Sequence, residues 1–401
     1  MTDSRLHDPI TRRLFLKRAA VGAGALSLPS LIAACGGGGG IAAQTGSGGS
    51  STEVNQQLAD TLVFANWPLY IDQKGKKRPT LDEFTAQTGV TVRYIEEVND
   101  NEEWFGKYQA QLAQGQDIGR DLTVLTDWMA ARMVRLGYVQ KKDKSAIPNE
   151  ANLVPTLQHP TWDPNRDYSI PWQSGFTGIG YNSKETEPIT TIEQLLTDPK
   201  LKGKVTCLTE MPDCMGLVMQ SNGDDPTKVE PAAFDKAIGT LQDAVDSGQI
   251  RRFTGNDYGD DLSSGNVAAA MVWSGDIVQL QLDNPNLEFV IPDAGGMIFT
   301  DNMLIPTGGD VFTASTYMNF VYDPKIAAEI EDWVNYISPV VGAKEELLKI
   351  DPDVAKNPLI FPSDEMMSQV KAFDPEAADN PDYKEKFQAV TGAYGVSPAP
   401  P

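Results

Sequence analysis

The chain has 401 residues, with 33 Lys+Arg against 55 Asp+Glu, a formal net charge of −22 and 41% hydrophobic residues. Such a composition suits a globular protein with an ample core, and the length favours two lobes over one. The acidity argues against nucleic acid and anionic membrane surfaces as partners, and only two histidines, His7 and His159, are present for a His-based metal site or a Ser-His-Asp triad.

In chain order, Arg12-Arg13-Leu-Phe-Leu-Lys-Arg18 precedes an uncharged run from Ala19 to Ala34. Paired arginines before an apolar run read as a secretory signal of the twin-arginine type. The run is shorter than the roughly 20 residues that span a bilayer, and Pro29 interrupts it. Ile32-Ala33-Ala34-Cys35 resembles the lipobox of bacterial lipoproteins, so residues 1–34 are expected to be a signal peptide and Cys35 the lipidation site. Residues 35–59, opening on Gly36–Gly40, read as a flexible Gly/Ser tether. The body is thus expected to be exported and lipid-anchored on the outer face of the cytoplasmic membrane, facing the periplasm or the cell surface.

From Asp60 onward the pattern alternates. Strands are expected at residues 61–66, 90–95, 121–125, 178–181, 204–208, 267–273, 287–291 and 303–306. Helices are expected at 80–88, opened by a Thr80-Leu-Asp-Glu83 capping box and stopped by Gly89, then at 102–114 and at 128–136 with Asp127 as N-cap. Further helices are expected at 192–196, 215–221, 231–247, 277–282, 324–337 and 344–348. The alternation predicts an α/β fold with ligands at the C-terminal ends of strands. An exported location permits a Cys207–Cys214 disulfide; two buried free thiols are the alternative.

Catalytic motifs are missing: there is no G-x-S-x-G, P-loop or C-x-x-C, and Gly178-Ile-Gly180 lacks a third glycine. No enzyme activity, cofactor or metal is expected. What the strand ends carry is a set of aromatics and acids: Trp67 and Tyr70; Thr126 and Trp128; Glu210 and Asp213; Trp273 and Asp276; Phe299 and Asp301. Brought to one cleft, ring faces and carboxylates without a basic residue suit an organic polycation, since rings attract cations and buried ammonium groups need acceptors.

Five segments carry a resemblance. They are Phe64-Ala-Asn-Trp-Pro-Leu-Tyr-Ile71, Asp121-Leu-Thr-Val-Leu-Thr-Asp-Trp128, Asp167-Tyr-Ser-Ile-Pro-Trp172, Met271-Val-Trp-Ser-Gly-Asp276 and Gly295-Gly-Met-Ile-Phe-Thr-Asp301. In order and spacing they resemble bacterial spermidine/putrescine-binding proteins of ABC transporters, over roughly Asp60 to Gln388. The resemblance implies a two-lobed periplasmic-binding-protein fold of type II, with lobe one at 60–176 plus 300–345 and lobe two at 181–296 plus 349–398. Crossings are implied near Thr177–Gly180, Gly295–Phe299 and Gly342–Leu348. It further implies an aromatic box of Trp67, Tyr70, Trp128, Trp273 and Phe299, with Asp276 and Asp301 on one terminal amine and Thr126 near the other end. Glu210 and Asp213 look like second-lobe acids, and Tyr336 and Gln388 are weaker carry-overs. Pro68 and Leu69 stand where the family often has a polar or acidic residue, which bears on the choice between spermidine and putrescine. The implied partners are a polyamine and the permease of an ABC importer, with the membrane met only through the lipid anchor and the protein itself a monomer. The alternatives are the same fold binding another amine, an amino-acid derivative or a peptide, and a secreted hydrolase working through a carboxylate pair.

Overall fold

The computed structural model describes residues 56–392, so the signal peptide, the Cys35 lipidation site, most of the tether and the Pro-rich end at Ser397–Pro401 lie outside the described residues. The strands are β1 (Thr61–Asn66), β2 (Thr91–Glu96), β3 (Leu122–Thr126), β4 (Val139–Gln140), β5 (Ser169–Asn182), β6 (Val205–Leu208), β7 (Ile250–Thr254), β8 (Ala269–Trp273), β9 (Leu287–Val290), β10 (Gly296–Pro306) and β11 (Val370–Lys371). The helices are α1 (Pro79–Thr88), α2 (Asn101–Leu112), α3 (Asp127–Leu136), α4 (Ile192–Thr197), α5 (Met211–Ser221), α6 (Pro231–Asp246), α7 (Tyr258–Ser264) and α8 (Ser274–Gln281). They continue with α9 (Val311–Val321), α10 (Pro324–Val334), α11 (Ala343–Ile350), α12 (Asp364–Met367), α13 (Pro375–Ala378) and α14 (Pro381–Gly392). Among the described residues no helix is long and apolar enough to cross a membrane.

The sheet runs β2-β1-β3-β10-β5-β8-β6-β7. Two parallel trios, β2-β1-β3 and β8-β6-β7, flank an antiparallel central pair, β10 and β5. All 14 residues of β5 are buried, and the strand serves both trios in turn. Residues 169–177 pair with β10, and residues 177–182 pair with β8 and β9. Sequence reading found only its second part, because Pro171 and Gly175 look like strand breakers. Each glycine has a reason here: a Cβ on Gly178 would meet Phe289 at 2.9 Å, and one on Gly180 would meet Val272 at 2.8 Å. The Gly178-Ile-Gly180 signature is a packing device.

Several local expectations need correction. Thr80 is not a cap: α1 starts at Pro79 after Arg78, and both the Thr80 N–H and hydroxyl donate to the buried Asp72 carboxylate. Asp127 is the first residue inside α3, and the N-cap is Thr126, whose side chain is committed elsewhere. Strands β4, β7 and β11 and helices α7, α9, α12, α13 and α14 are absent from the sequence expectations. Cys207 and Cys214 are buried free thiols in hydrogen-bond contact. Near the expected third crossing, Leu347 clusters with Ala328 and Ala355, flanked by Val354 and Phe361. Further on, β11 pairs with the start of β10, Val370 opposite Gly296.

Candidate ligand-binding cleft

The pairing registers create the cleft. β3 runs parallel to β5 and ends at Thr126, opposite Asp301, which is opposite Gln173; β8 runs antiparallel to β5 and ends at Trp273, opposite Thr177. The C-terminal ends of the two trios therefore face each other along β5, separated by the stretch from 173 to 177, about 13 Å at the usual rise per residue. Residues 173–177 of β5 pair with 297–301 of β10 across this gap, and Phe299 and Asp301 of that stretch line the cavity. A register shift in the β5–β10 pairing lies between Asp301 and Asn302, where a bulge can re-aim a side chain. Strands β3 and β8 pass into α3 and α8 without an intervening loop, so Thr126 and Asp276 are held by rigid elements.

Beside this paired stretch is a cavity. It is lined by Trp67, Pro68, Tyr70, Thr126, Asp213, Asn256, Trp273, Asp276, Phe299, Asp301 and Tyr336. Among the described residues, that lining holds no lysine, arginine or histidine. Its three carboxylates are each held by neutral donors. Asp301 accepts from the Tyr70 hydroxyl and the Thr126 hydroxyl, both at 2.8 Å. Asp276 accepts from Tyr336 at 2.7 Å, Asn256 at 2.8 Å and Tyr258 at 2.5 Å. Asp213 accepts from the Thr177 hydroxyl and the Trp273 indole. Asp213 and Asp276 lie in the first turns of α5 and α8, yet neither helix shows a side-chain cap bond. The acids are not spent as caps.

Burial without a cation raises all three. Desolvation lifts Asp301 to about 7 against its hydroxyl donors, with Asp127 and Asp213 adding like-charge repulsion. Desolvation also lifts Asp213 and Asp276 to about 6 each, opposed by their own donors. Relative to the ordinary 3.8, the folded chain binds these protons at higher pH than the unfolded chain. Stability from this set is therefore gained as pH falls through 7 toward about 5, and is absent above the folded values. Thermal melts of ligand-free protein should show Tm rising as pH drops from 8 to 5.5; a steady fall over that range would contradict unpaired buried acids.

The rings form a continuous wall. Trp67 and Trp273 meet edge to face at 5.7 Å, Trp273 and Phe299 at 6.2 Å, Phe299 and Tyr336 at 6.3 Å, and Tyr336 and Tyr70 at 5.0 Å. Two glycines seat Tyr336, since a Cβ on Gly175 would lie 2.8 Å from its ring and one on Gly275 would overlap it. Asn335, left-handed at φ 58°, ends α10 immediately before Tyr336. Leu69 is also left-handed at φ 57°, in the short turn between Trp67 and Tyr70.

Nine of the twelve residues singled out from sequence line this cavity: Trp67, Tyr70, Thr126, Asp213, Trp273, Asp276, Phe299, Asp301 and Tyr336. Three do not. Trp128 lines an adjoining cavity that shares Thr126, Asp213 and Phe299 with the first. Gln388, on α14, lines a separate one with Trp128, Asp100 and Lys384. Glu210 is buried against Asn101, which occupies its Oε1 from the backbone N–H at 2.7 Å and from the side-chain amide at 2.9 Å. Asn256 and Tyr258 were missed, although they follow the end of β7. Reading that strand would have exposed them; Arg251-Arg252 at its centre concealed it.

Comparison with known proteins places the chain among solute receptors. A family model described as "Bacterial extracellular solute-binding protein" matches residues 80–362. The spermidine/putrescine-binding periplasmic protein of Salmonella typhimurium is 27% identical over 312 residues, covering 77% of this chain and 85% of that protein. A crystal structure of a spermidine/putrescine ABC transporter substrate-binding protein from Streptococcus pneumoniae aligns with TM-score 0.67 at 24% identity, over 84% of this chain and 99% of that one. A structure from A. tumefaciens B6 in complex with glucopine aligns almost as well, with TM-score 0.66 at 15% identity over 82% of this chain and 99% of that one. The shared fold is the two-lobed α/β receptor fold. Fold alone does not choose the ligand, so that choice rests on the cavity.

Proposed function

Because the chain belongs to the bacterial extracellular solute-binding protein family, we propose that it captures a polyamine of the putrescine/spermidine class and delivers it to an ABC importer. One observation carries the ligand class: Asp213, Asp276 and Asp301 sit inside an aromatic-walled cavity with no basic residue among the described residues of its lining. A cationic ligand supplies the missing positive charges. Each ammonium N–H donates to a carboxylate oxygen, and the methylene chain lies against Trp67, Trp273 and Phe299, whose faces attract cations by about 0.5–2 kcal/mol apiece. An acid ligand would find no counter-charge there. Curated relatives carry spermidine and putrescine in their names, which supports the same class.

The two trios would act as lobes that close on the ligand, so that binding shifts an open–closed equilibrium which a permease reads. We assign lobe one to about 60–176 plus 300–361 and lobe two to about 181–296 plus 370–392. The rest of the reading is an export signal at residues 1–34, diacylglycerol on Cys35 and a monomeric receptor tethered outside the cytoplasmic membrane. Calorimetric titration with putrescine, spermidine and spermine, with glutamate as the control, tests the ligand class. Micromolar binding, about −8 kcal/mol, is expected for at least one polyamine. Absence of heat with all three at roughly 1 mM, where only about −4 kcal/mol is needed, would remove the reading. Affinity should also fall between pH 7.5 and 5.5, because protons compete with ammonium groups for acids that titrate at about 6 to 7.

A further inference from the structure

Asn101 stands at the first position of α2, on the β2-β1-β3 side, and is fully buried. Its side chain is used on both faces. The Nδ2 amide donates to the Thr126 hydroxyl oxygen at 2.8 Å and to Glu210 Oε1 at 2.9 Å, while Oδ1 accepts from the Thr126 N–H at 3.1 Å. The Thr126 hydroxyl in turn donates to Asp301 Oδ1 at 2.8 Å. Glu210 belongs to the other trio, immediately before α5 and 109 residues away in sequence. A continuous chain of hydrogen bonds therefore runs from the cavity carboxylate, Asp301, through Thr126 and Asn101, to an acid of the opposite half. We propose, resting on the receptor reading above, that Asn101 is a positioning residue that couples polyamine at Asp301 to closure of the two halves, and that Glu210 is its latch and not a ligand contact.

Three features favour this over the ligand role that similarity assigns to Glu210. Glu210 is absent from the lining of the cavity. Its Oε1 caps the N-terminus of α2 from across the cleft, accepting the Asn101 N–H where a helix end attracts negative charge. The same seam carries two more bonds between the halves, from the Thr209 hydroxyl to Asp100 at 2.5 Å and from the Asn256 N–H to the Asn99 carbonyl at 3.2 Å. Asn256 is also a partner of Asp276, so the seam reaches the second cavity acid. A ligand ammonium that fixes Asp301 fixes Thr126, and Thr126 then orients the amide that engages Glu210.

A glutamine can accept the same two bonds from Asn101, whereas it cannot neutralise an amine. Glu210→Gln should bind spermidine within about threefold of wild type, while Glu210→Ala and Asn101→Ala should each weaken it at least tenfold. A tenfold loss in Glu210→Gln would restore Glu210 as a ligand acid and overturn the proposal. Amide hydrogen exchange over residues 99–104 gives a reading that needs no ligand: protection kept in Glu210→Gln and lost in Glu210→Ala supports the latch, and equal protection in both overturns it. Should wild type bind no polyamine, the receptor reading fails while the exchange comparison still decides the latch. Thermal melts of each variant identify a folding defect, and a melted Glu210→Ala is replaced by Glu210→Ser in both measurements.

Discussion

Replacing Asp301 by asparagine is expected to weaken polyamine binding about a hundredfold while leaving the ligand-free protein as stable as wild type, or more stable, above pH 7. The reasoning has two sides. Removing one member of a buried charge pair costs about 2–5 kcal/mol of binding, and a hundredfold is about 2.7 kcal/mol. In the ligand-free chain the same carboxylate is a burden, because burial raises it to about 7 and no cation offsets it. Asparagine keeps the shape, and the Tyr70 and Thr126 hydroxyls can turn to serve an amide. Calorimetry and thermal melts at pH 8 check both halves. Unchanged affinity would show that the ligand does not use this acid; a collapse in Tm would make Asp301 a structural group.

Trp273→Ala should be damaging in both respects. Trp273 is 6% exposed, packs edge to face on Trp67, Tyr258 and Phe299, and donates its indole N–H to Asp213. Deleting a buried tryptophan costs about 3–5 kcal/mol of folding stability. The ligand would also lose a ring face, and Asp213 a donor, so affinity should drop about thirtyfold or more, roughly 2 kcal/mol. Trp273→Phe separates the contributions, because it restores a ring and most of the packing but not the bond to Asp213. Recovery of stability with only partial recovery of affinity is expected. Binding by Trp273→Ala at wild-type strength would displace the site from this wall.

How far the sequence spoke depended on how local each signal was. Strands β1, β3, β6 and β8 were legible because short apolar runs ending in a polar or aromatic residue announce buried strands, and most of the cavity residues follow those ends. The central stretch of β5 was not. Its residues 173–177 contain glycine and follow Pro171, and what makes them strand is pairing with β10, more than a hundred residues away. Asn256 and Tyr258 were hidden with β7, whose paired arginines mask an otherwise apolar edge. Glu210 shows a different limit. Residue type suggested an amine-binding acid, while its actual partner, Asn101, has an unremarkable local context. Thr126 was picked out by its strand-end position and put by similarity near the other end of the ligand from Asp301, yet its hydroxyl donates to Asp301 instead of capping α3, a choice visible only in three dimensions.

The interposed pair β10–β5 also governs how the nascent chain can assemble. β3 has β1 on one side, but its other edge must wait for β10, and the Thr126–Asp301 contact spans 175 residues. Until that segment is synthesised, the first trio offers an unpaired strand edge, the surface most prone to intermolecular pairing. Contacts of such long range also slow folding. Chains truncated before residue 296 would keep that edge open permanently, so proteolytic or premature-stop fragments of the first 290 or so residues should accumulate as aggregates, not as working half-receptors.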